Sequence, residues 1–315
     1  MKITKRTFSF QSKYDDVKIH GICMIPENPI GIFQMIHGMS EHKERFLTFM
    51  EWMADKGYVA LMHDNRGHGE SIKQPEDIGY CYASKEKGYI EDIYAVNRHI
   101  RKQFPDLPLV LYGHSMGSLG VRSYIRKHDE TVDGLIVSGC PAYNRAVEPS
   151  KLLVKAVGLL KGDKYRSPFM QKLVVGSFER AFKAEHRQFA WLAVKEDVAE
   201  KFQADPLCNF IYTLNGFMTL LNLESTTYTK GGFEVKQPKL PILFISGEDD
   251  PCYVNEKKWR QAVQRLYKLG YEDITEIRYK GLRHEIHNEK ECEKVFRDIE
   301  TFCDRIVKNN YESNA

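Results

Sequence analysis

Several features that mark other classes of protein are absent from this sequence of 315 residues. The 46 basic and 43 acidic side chains nearly cancel to a formal net charge of +3, so no charge excess indicates binding to nucleic acid or to an anionic membrane. Glycine and proline occur at ordinary frequency, and there is no repeat period, low-complexity tract or block of like charges. Collagen-like, solenoid and disordered classes are therefore excluded.

The cysteines are scattered and form no Cys-x-x-Cys or Cys/His cluster of the kind that zinc requires. They lie at positions 23, 81, 140, 208, 252, 292 and 303. This pattern fits a reducing compartment. No run reaches the roughly 18 apolar residues of a membrane span, and the N-terminal segment alternates through Phe8 and Phe10 instead of containing the apolar core of a signal peptide. We therefore expect a soluble, cytoplasmic protein.

Apolar runs of strand length alternate with amphipathic runs of helix length, which is typical of a mostly parallel, doubly wound α/β sheet. The strand-length runs largely lack period-2 alternation and are predicted to be buried. Strands are predicted near residues 30–36, 58–63, 107–112, 134–137, 242–245 and 275–279. Helices are predicted near residues 45–56, 88–103, 116–127, 256–268 and 291–307. An opening antiparallel hairpin at residues 6–12 and 17–25 brings the expected sheet to eight strands.

The pattern is interrupted once, between residues 142 and 238. This segment contains no convincing strand, but it has many aromatic residues and helix-like stretches, which indicates a helical insertion. We therefore expect a core domain formed by residues 1–141 and 239–315, with residues 142–238 as a helical cap.

The sharpest motif is G-x-S-x-G at residues 113–117, which directly follows a predicted strand and precedes a predicted helix. Such a turn strains the backbone of Ser115 and leaves no room for a β-carbon at Gly113 or Gly117. It also places the Met116 N–H at a helix N-terminus, facing an oxyanion formed on an attacked carbonyl. Ser115 is therefore the candidate nucleophile, and Met116 is a candidate oxyanion donor.

A serine hydroxyl is a weak nucleophile and needs a base, and after a nucleophile elbow the expected chain order is serine, acid, histidine. Two later loops supply these groups at the C-terminal ends of predicted strands, the edge at which parallel sheets build their sites. The candidates are Glu248, Asp249 and Asp250 in the first loop, and His284 and His287 in the second. The residues alone leave the choice between Asp249 and Asp250 open, because both are carboxylates in one turn.

Together these motifs resemble those of the α/β-hydrolases, specifically the monoacylglycerol lipase and lysophospholipase-like group, which is also labelled serine aminopeptidase-like. The resemblance covers nearly the whole chain and includes HGMSEH at residues 37–42 and DNRGHGES at residues 64–71. It implies that Ser115 is the nucleophile, that Asp250 orients His284, and that His284 is the general base and later the acid. It also implies the Met39 N–H as the second oxyanion donor, and it implies neither a cofactor nor a metal.

The family spacing favours Asp250 over Asp249, because the family acid stands three residues after the strand-ending glycine, here Gly247. His284 is favoured over His287 by its spacing from Gly281, and His287 is expected to support the loop by hydrogen bonding. Structural roles are expected for the other polar residues of these motifs, in packing or in side-chain hydrogen bonds to the backbone. These residues are His37, Glu41, His42, Asp64, Arg66, His68, Ser71 and His114.

The activity implied by the resemblance is hydrolysis of a carboxylic ester through an acyl-enzyme, on a monoacylglycerol, a lysophospholipid or a similar single-chain ester. The same intermediates also serve a short-chain carboxylesterase, a thioesterase or an acyltransferase. An aminopeptidase is disfavoured because HGMSE replaces the usual HGGPG, and the intact motifs disfavour a catalytically silent binding module. In the cap, residues 149–161 have two interpretations. They form an ordinary helix packed on the core, or they line an acyl tunnel or contact a lipid surface transiently.

Overall fold

The computed structural model describes residues 2–229 and 231–314, and its strands form one sheet. The strands are β1 (Ile3–Gln11), β2 (Lys18–Pro26), β3 (Gly31–Ile36), β4 (Tyr58–His63), β5 (Leu109–His114), β6 (Gly134–Ser138), β7 (Ile242–Gly247) and β8 (Ile274–Tyr279). Their order across the sheet is β1-β2-β4-β3-β5-β6-β7-β8. The β1–β2 and β2–β4 pairs are antiparallel and all other pairs are parallel. The predicted eight-stranded, mostly parallel sheet with an N-terminal hairpin is thus confirmed.

The helices cover both faces of the sheet. They are α1 (Leu47–Asp55), α2 (Lys85–Gln103), α3 (Met116–His128), α4 (Val147–Lys161), α5 (Pro168–Ala181), α6 (Glu196–Ala204), α7 (Leu214–Tyr228), α8 (Glu256–Tyr267) and α9 (Cys292–Asn314). On one face, α1 and α9 pack together through the stacked rings of Phe49 and Phe296. On the other face, α2, α3 and α8 contribute Tyr89, Leu119 and Trp259 to a second apolar layer. The sheet is therefore doubly wound.

The central strands explain why their sequences lack alternation. Every residue of β3, β4, β5, β6 and β7 is buried, since helices cover both sides of the sheet. In contrast, β1 lies at an edge of the sheet, and its residues are half-buried or exposed.

Four helices, α4 to α7, occupy the described part of the chain between β6 and β7. Extended pairing within this part is confined to a single bridge between Arg166 and Thr213. A small apolar cluster built around Trp191 and Phe202 includes Cys252, which lies just after β7. This cluster places the helical segment directly over the C-terminal ends of the strands.

The cysteines are free thiols, and all except Cys292 are buried. Among the described residues, no helix combines the length and the apolar character needed to cross a membrane.

Candidate active site

The turn between β5 and α3 has the geometry of a nucleophile elbow. Ser115 has φ 54° and ψ −118°, a conformation that L-residues rarely adopt. A β-carbon on Gly113 would lie 2.4 Å from the carbonyl oxygen of Gly117, and one on Gly117 would lie 2.3 Å from that of Ile36. Glycine is therefore required at both positions for the chain to turn sharply enough to present the serine.

The loop after β3 carries Met39 between two residues that are held firmly. The Gly38 N–H donates to Glu41 Oε1 at 2.6 Å. The Ser40 hydroxyl donates to the Phe210 carbonyl at 3.0 Å, and the Ser40 carbonyl accepts from the Asn209 N–H at 3.1 Å. The segment 37–42, which we call the oxyanion loop, is thus tied to the helical segment between β6 and β7.

Met116 is the first residue of α3, so its N–H has no partner within the helix. Its side chain is held by the Tyr212 hydroxyl, which lies 3.4 Å from Sδ. Met39 and Met116 line the same cavity as Ser115. The structure therefore brings the two predicted oxyanion donors to the predicted nucleophile.

The acid and the histidine meet at the C-terminal ends of β7 and β8. His284 Nδ1 lies 3.0 Å from each carboxylate oxygen of Asp250. That carboxylate also accepts hydrogen bonds from the Cys252 N–H and the Ser246 hydroxyl, each at 2.8 Å. Asp249 is exposed to solvent. Among these carboxylates, the structure therefore pairs Asp250 with His284.

Burial alone would raise the pKa of Asp250, but the charge of His284 and the hydrogen bonds to the carboxylate outweigh burial and lower it. The opposite balance holds at His284, where burial would lower the pKa and the Asp250 carboxylate raises it. The pair therefore favours an ionised carboxylate that fixes and stabilises a charged imidazole, as a triad requires.

Ser115 and His284 line one cavity, but among the described residues no hydrogen bond joins Ser115 Oγ to His284 Nε2. Instead, Nε2 has Cys252 Sγ at 3.8 Å. In unliganded hydrolases the bond between nucleophile and base is often long and tightens only when substrate binds.

The helical segment between β6 and β7 covers the histidine loop. The Trp191 carbonyl accepts from the His284 N–H at 3.4 Å, and the Leu192 carbonyl accepts from the Glu285 N–H at 2.7 Å. The indole ring of Trp191 lies 5.1 Å from the His284 ring, between centroids. The backbone and the indole ring of segment 189–192 thus pack against the histidine and its loop.

His287 does not support its loop in the way the sequence led us to expect. Among the described residues, neither of its ring nitrogens has a hydrogen-bond partner. The ring instead stacks on Phe46 at 4.4 Å and packs edge-on against His114, which in turn contacts His284. Burial lowers the pKa of His287 to about 3, so the ring is neutral and acts by packing.

Sequence reasoning missed a buried ionic cluster beneath the site. Arg45 donates to Glu41 Oε2 at 2.6 Å and to both carboxylate oxygens of Glu285 at 2.8 and 2.6 Å. Burial raises the pKa of Glu41, whereas at Glu285 the charge of Arg45 outweighs burial and lowers the pKa. Arg45 thereby links the oxyanion loop to the histidine loop. The only feature of the sequence that could have indicated this cluster is the position of Arg45 four residues after Glu41.

The polar run at residues 64–71 has the structural role predicted for it. Asp64 accepts from the Lys43 N–H, the Lys43 ammonium and the Glu70 N–H at 2.7 to 2.9 Å. Arg66 is fully buried and pairs with Asp92 and Asp15. These groups hold the loop after β4 through hydrogen bonds and ion pairs.

The cavity at the elbow has a volume of about 530 Å³. Its walls are mainly apolar and come largely from the helical segment between β6 and β7 and from α3, among them Leu119, Val174, Phe178, Trp191, Phe217 and Leu221. Polar side chains also line it, among them Asn144, Arg145, Gln171 and Glu224, and burial raises the pKa of Glu224 to about 7. The site thus combines the serine of the elbow with a mainly apolar chamber.

Nitrogen, sulfur and carboxylate donors come together twice in the described chain, at His42, Asp205 and Cys208 and at Asp250, Cys252 and His284. In both sets a histidine nitrogen lies within hydrogen-bond distance of a carboxylate oxygen. Hydrogen bonds and ion pairs account for both arrangements, and we assign neither as a metal site.

The sheet order, the elbow and the His284–Asp250 pair are those of an α/β-hydrolase. Residues 27–291 match the family described as "Serine aminopeptidase, S33". Because the match covers most of the chain, the protein belongs to this family, which lies within the α/β-hydrolase superfamily. The resemblance predicted from the motifs is thereby confirmed.

Two curated proteins show how far the similarity extends. The phospholipase YtpA of Bacillus subtilis is 27% identical over 285 residues, which cover 89% of this chain and 98% of that protein. The monoacylglycerol lipase of Mycolicibacterium smegmatis is 23% identical over 273 residues, which cover 86% and 87%. Both similarities therefore span almost the whole of each chain.

Solved structures show the same fold. A thermostable carboxyl esterase from Bacillus coagulans, crystallised with glycerol, matches with a TM-score of 0.86 at 22% identity, covering 96% of this chain and 99% of that one. A soluble variant of monoglyceride lipase from Saccharomyces cerevisiae, bound to a substrate analogue, matches with a TM-score of 0.72 at 17% identity, covering 93% and 94%. At these identities the matches establish the fold alone.

Proposed function

We propose that this protein is a serine carboxylic-ester hydrolase that acts on a monoacylglycerol, a lysophospholipid or a similar ester with one acyl chain. One observation carries the proposal: Ser115 lies on a nucleophile elbow and opens, together with the Asp250-bound His284, into a mainly apolar cavity. The curated relatives are a phospholipase and a monoacylglycerol lipase, which supports the same class of substrate.

In the proposed acylation step, Ser115 Oγ attacks the ester carbonyl carbon while its proton passes to His284 Nε2. Asp250 holds the Nδ1–H and stabilises the imidazolium that forms. The carbonyl oxygen becomes an oxyanion and accepts hydrogen bonds from the N–H groups of Met39 and Met116. The intermediate then collapses: the bond to the alcohol oxygen breaks, and the alcohol leaves with the proton from Nε2.

Deacylation repeats the sequence with water. His284 takes a proton from water, and the resulting hydroxide oxygen attacks the acyl carbon to form a second oxyanion in the same position. Collapse breaks the bond to Ser115 Oγ, which recovers its proton from His284, and the carboxylic acid is released. No residue outside the described site is needed for either step.

The cavity favours an acyl chain over a purely polar substrate. A volume of about 530 Å³ is typical of a small-molecule site, and burying a chain against its apolar walls contributes about 0.8 kcal/mol per methylene. We propose that residues 142–238 form the cap that supplies these walls and so sets chain-length preference.

We further propose that α4 brings the cap to a lipid surface for substrate uptake. Leu159 and Leu160, near its end, are 89% and 85% exposed, and Lys155 and Lys161 flank them. Exposed leucines beside lysines are typical of helices that rest at a membrane interface. The buried free thiols support a location in a reducing, cytoplasmic compartment.

The test is hydrolysis of p-nitrophenyl esters from acetate to palmitate, followed by the monoacylglycerol with the preferred chain. We expect activity to rise toward medium or long chains and to fall by about 10,000-fold or more in Ser115→Ala, because the remaining groups cannot form the acyl-enzyme. Ser9→Ala, which changes an exposed serine of the edge strand β1, is the control and should retain activity.

A preference for acetate or butyrate would replace this proposal with a small-ester esterase. Absence of Ser115-dependent activity at every chain length would contradict ester hydrolysis and direct attention to thioesters, acyl transfer or peptides. A fluorophosphonate probe that fails to label the folded protein would indicate a silent binding module.

A further inference from the structure

His42, in the oxyanion loop, lies between two carboxylates from different parts of the fold. Its Nδ1 is 2.6 Å from Glu44 Oε2, and its Nε2 is 2.8 Å from Asp205 Oδ2. An ionised carboxylate only accepts hydrogen bonds, so both ring nitrogens must carry a hydrogen for both contacts to be bonds. Only the imidazolium has two N–H groups. The geometry therefore calls for a protonated, positively charged His42.

The surroundings of His42 are compatible with that charge. Burial would lower the pKa of His42, but the hydrogen bonds and charges of Glu44 and Asp205 outweigh burial and raise it. The titratable and charged groups that face the ring are Lys43, Glu44 and Arg45 on its own segment, Asp205 and Cys208 in the cap, and His37 and His68 in the loops after β3 and β4.

Most of these neighbours are either neutral or paired with an opposite charge in the pH range in which His42 loses its proton. Burial lowers the pKa of His37 and His68 and raises that of Cys208, so all three are neutral. Lys43 is paired with Asp64 and Glu70 and shares Glu44 with His42. Arg45 is paired with Glu41 and Glu285. The two carboxylates on the ring therefore dominate its electrostatics.

The contact between His42 and Asp205 is connected to the proposed oxyanion donor Met39 through the chain that follows Asp205. Asp205 begins the cap segment 205–210. In this segment the Asn209 N–H donates to the Ser40 carbonyl, and the Phe210 carbonyl accepts from the Ser40 hydroxyl. Ser40 and Asn209 have φ of 54° and 53°, a strained conformation for these residues that persists only when the surroundings hold it. Ser40 directly follows Met39, so the cap segment restrains the peptide next to the oxyanion donor.

We propose that His42 is a positioning residue that, as a doubly hydrogen-bonded imidazolium, fastens the cap segment 205–210 onto the oxyanion loop and so makes ester hydrolysis fall at high pH. The inference rests on the proposed function for its effect on hydrolysis, but the fastening itself does not depend on the substrate. It involves no atom transfer other than loss of one proton from the His42 ring to solvent.

The direction of the pH effect follows from the raised pKa of His42. The stabilising contribution is complete below the ordinary pKa of 6.5 and is lost as pH rises through the folded-state value. Neutral His42 has one N–H, so one carboxylate then faces a ring lone pair and is repelled. Because His284 must be neutral to act as a base, activity is expected to rise with its deprotonation and to fall with that of His42.

The direct test is a titration of the histidine rings by ¹⁵N nuclear magnetic resonance on the whole chain, with His42→Gln identifying the His42 signals. We expect two protonated nitrogens on His42 near neutral pH and a pKa above 6.5. Asp205→Asn should lower the proton affinity of His42 by about tenfold or more, the usual effect of removing one adjacent opposite charge. Asp197→Asn, an equal charge change at a half-buried position of the cap helix α6 that pairs with Lys195 and Lys201 instead of His42, is the matched control and should leave it unchanged.

Two further measurements connect the ring to the site. The first is hydrogen exchange of the Asn209 amide, which donates to Ser40. We expect this exchange to be faster in Asp205→Asn than in the wild type. In the wild type, its rate should increase with pH more steeply than the intrinsic exchange rate does. The alkaline limb of kcat/KM for p-nitrophenyl butyrate should shift to lower pH in Asp205→Asn and disappear in His42→Gln, with kcat reduced more than KM is changed.

A His42 ring with a single proton near neutral pH, or a pKa at or below 6.5, would overturn the proposal. So would an Asp205→Asn variant in which the His42 titration, Asn209 exchange and the alkaline limb all match those of Asp197→Asn. If no ester is hydrolysed by any form while the His42 titration and Asn209 exchange behave as expected, the proposed function is wrong and the fastening by His42 stands.

Discussion

The Nδ1 atom of His284 is equidistant, at 3.0 Å, from the two carboxylate oxygens of Asp250. The same carboxylate is fixed by a backbone N–H and a serine hydroxyl, so its orientation does not depend on the histidine. Asp249, one residue earlier, is exposed to solvent. The two aspartates have the same side-chain chemistry, but their surroundings differ. This difference identifies Asp250 as the candidate orienting acid and Asp249 as a turn residue.

Asp250→Asn is expected to lower kcat by up to about 10,000-fold, because an amide stabilises the imidazolium poorly and favours the wrong ring tautomer. Asp249→Asn is the matched substitution and should change kcat by less than about twofold, since it removes an exposed charge. Steady-state kinetics on the preferred p-nitrophenyl ester measures both. A large loss in Asp249→Asn with a mild one in Asp250→Asn would exchange the two assignments.

The acid limb of the pH dependence of kcat/KM should have its midpoint above pH 6.5. The Asp250 carboxylate raises the pKa of His284 against the effect of burial, and a general base acts only in its neutral form, so kcat/KM should increase as pH rises through that raised value. The rate of Ser115 labelling by a fluorophosphonate should follow the same limb. A midpoint below 6.5 in both measurements would show that another group controls the nucleophile.

Gly117→Ala should destabilise the fold, because its β-carbon would lie 2.3 Å from a backbone oxygen of β3. We expect a loss of about 2 kcal/mol in the free energy of unfolding, typical of overpacking against groups that cannot move, together with loss of activity. Gly158→Ala in α4 has only a leucine methyl at 3.8 Å and should be neutral or stabilise by up to about 1 kcal/mol. Urea unfolding followed by circular dichroism distinguishes them, and equal stabilities would argue against a tight elbow.

Replacing Leu159 and Leu160 together by glutamine should lower hydrolysis of a monoacylglycerol in vesicles by about tenfold or more, because two exposed leucines no longer partition into the lipid interface. Hydrolysis of soluble p-nitrophenyl butyrate should remain within about twofold, since both side chains are outside the cavity. Tyr311→Gln, at another exposed apolar position, is the control. An equal loss on both substrates would indicate a packing role for this end of α4.

Much of the fold was predictable because its signals are local. The strand predicted at residues 58–63 coincides with β4, and the predicted helix at residues 116–127 differs from α3 by one residue. A buried strand in a parallel sheet shows a continuous apolar run whatever its neighbours are. The elbow was equally predictable from the sequence. Its sharp turn leaves no room for a β-carbon at two positions, so two glycines flank the serine within five consecutive residues.

The candidate site was predictable as a set of loops but not in all its contacts. Spacing favoured Asp250 and His284, and the structure places them together. The hydrogen-bonding role predicted for His287 was wrong, because its ring stacks on Phe46 and neither ring nitrogen has a hydrogen-bond partner in the part of the chain that the structure describes. Arg45 escaped notice because its partner Glu285 is 240 residues away along the chain.

What the sequence by itself determined is therefore the backbone: which segments form strands and helices, where the chain turns sharply at Ser115, and which loops end at one edge of the sheet. Only the tertiary structure decided which side chains pair across that edge, as in Arg45 with Glu285 or His42 with Asp205, 163 residues apart. The physical reason is that dihedral preference and hydrophobic period act over a few neighbouring residues. Ion pairs and ring contacts in the site depend instead on the packing of distant elements, which no local pattern records.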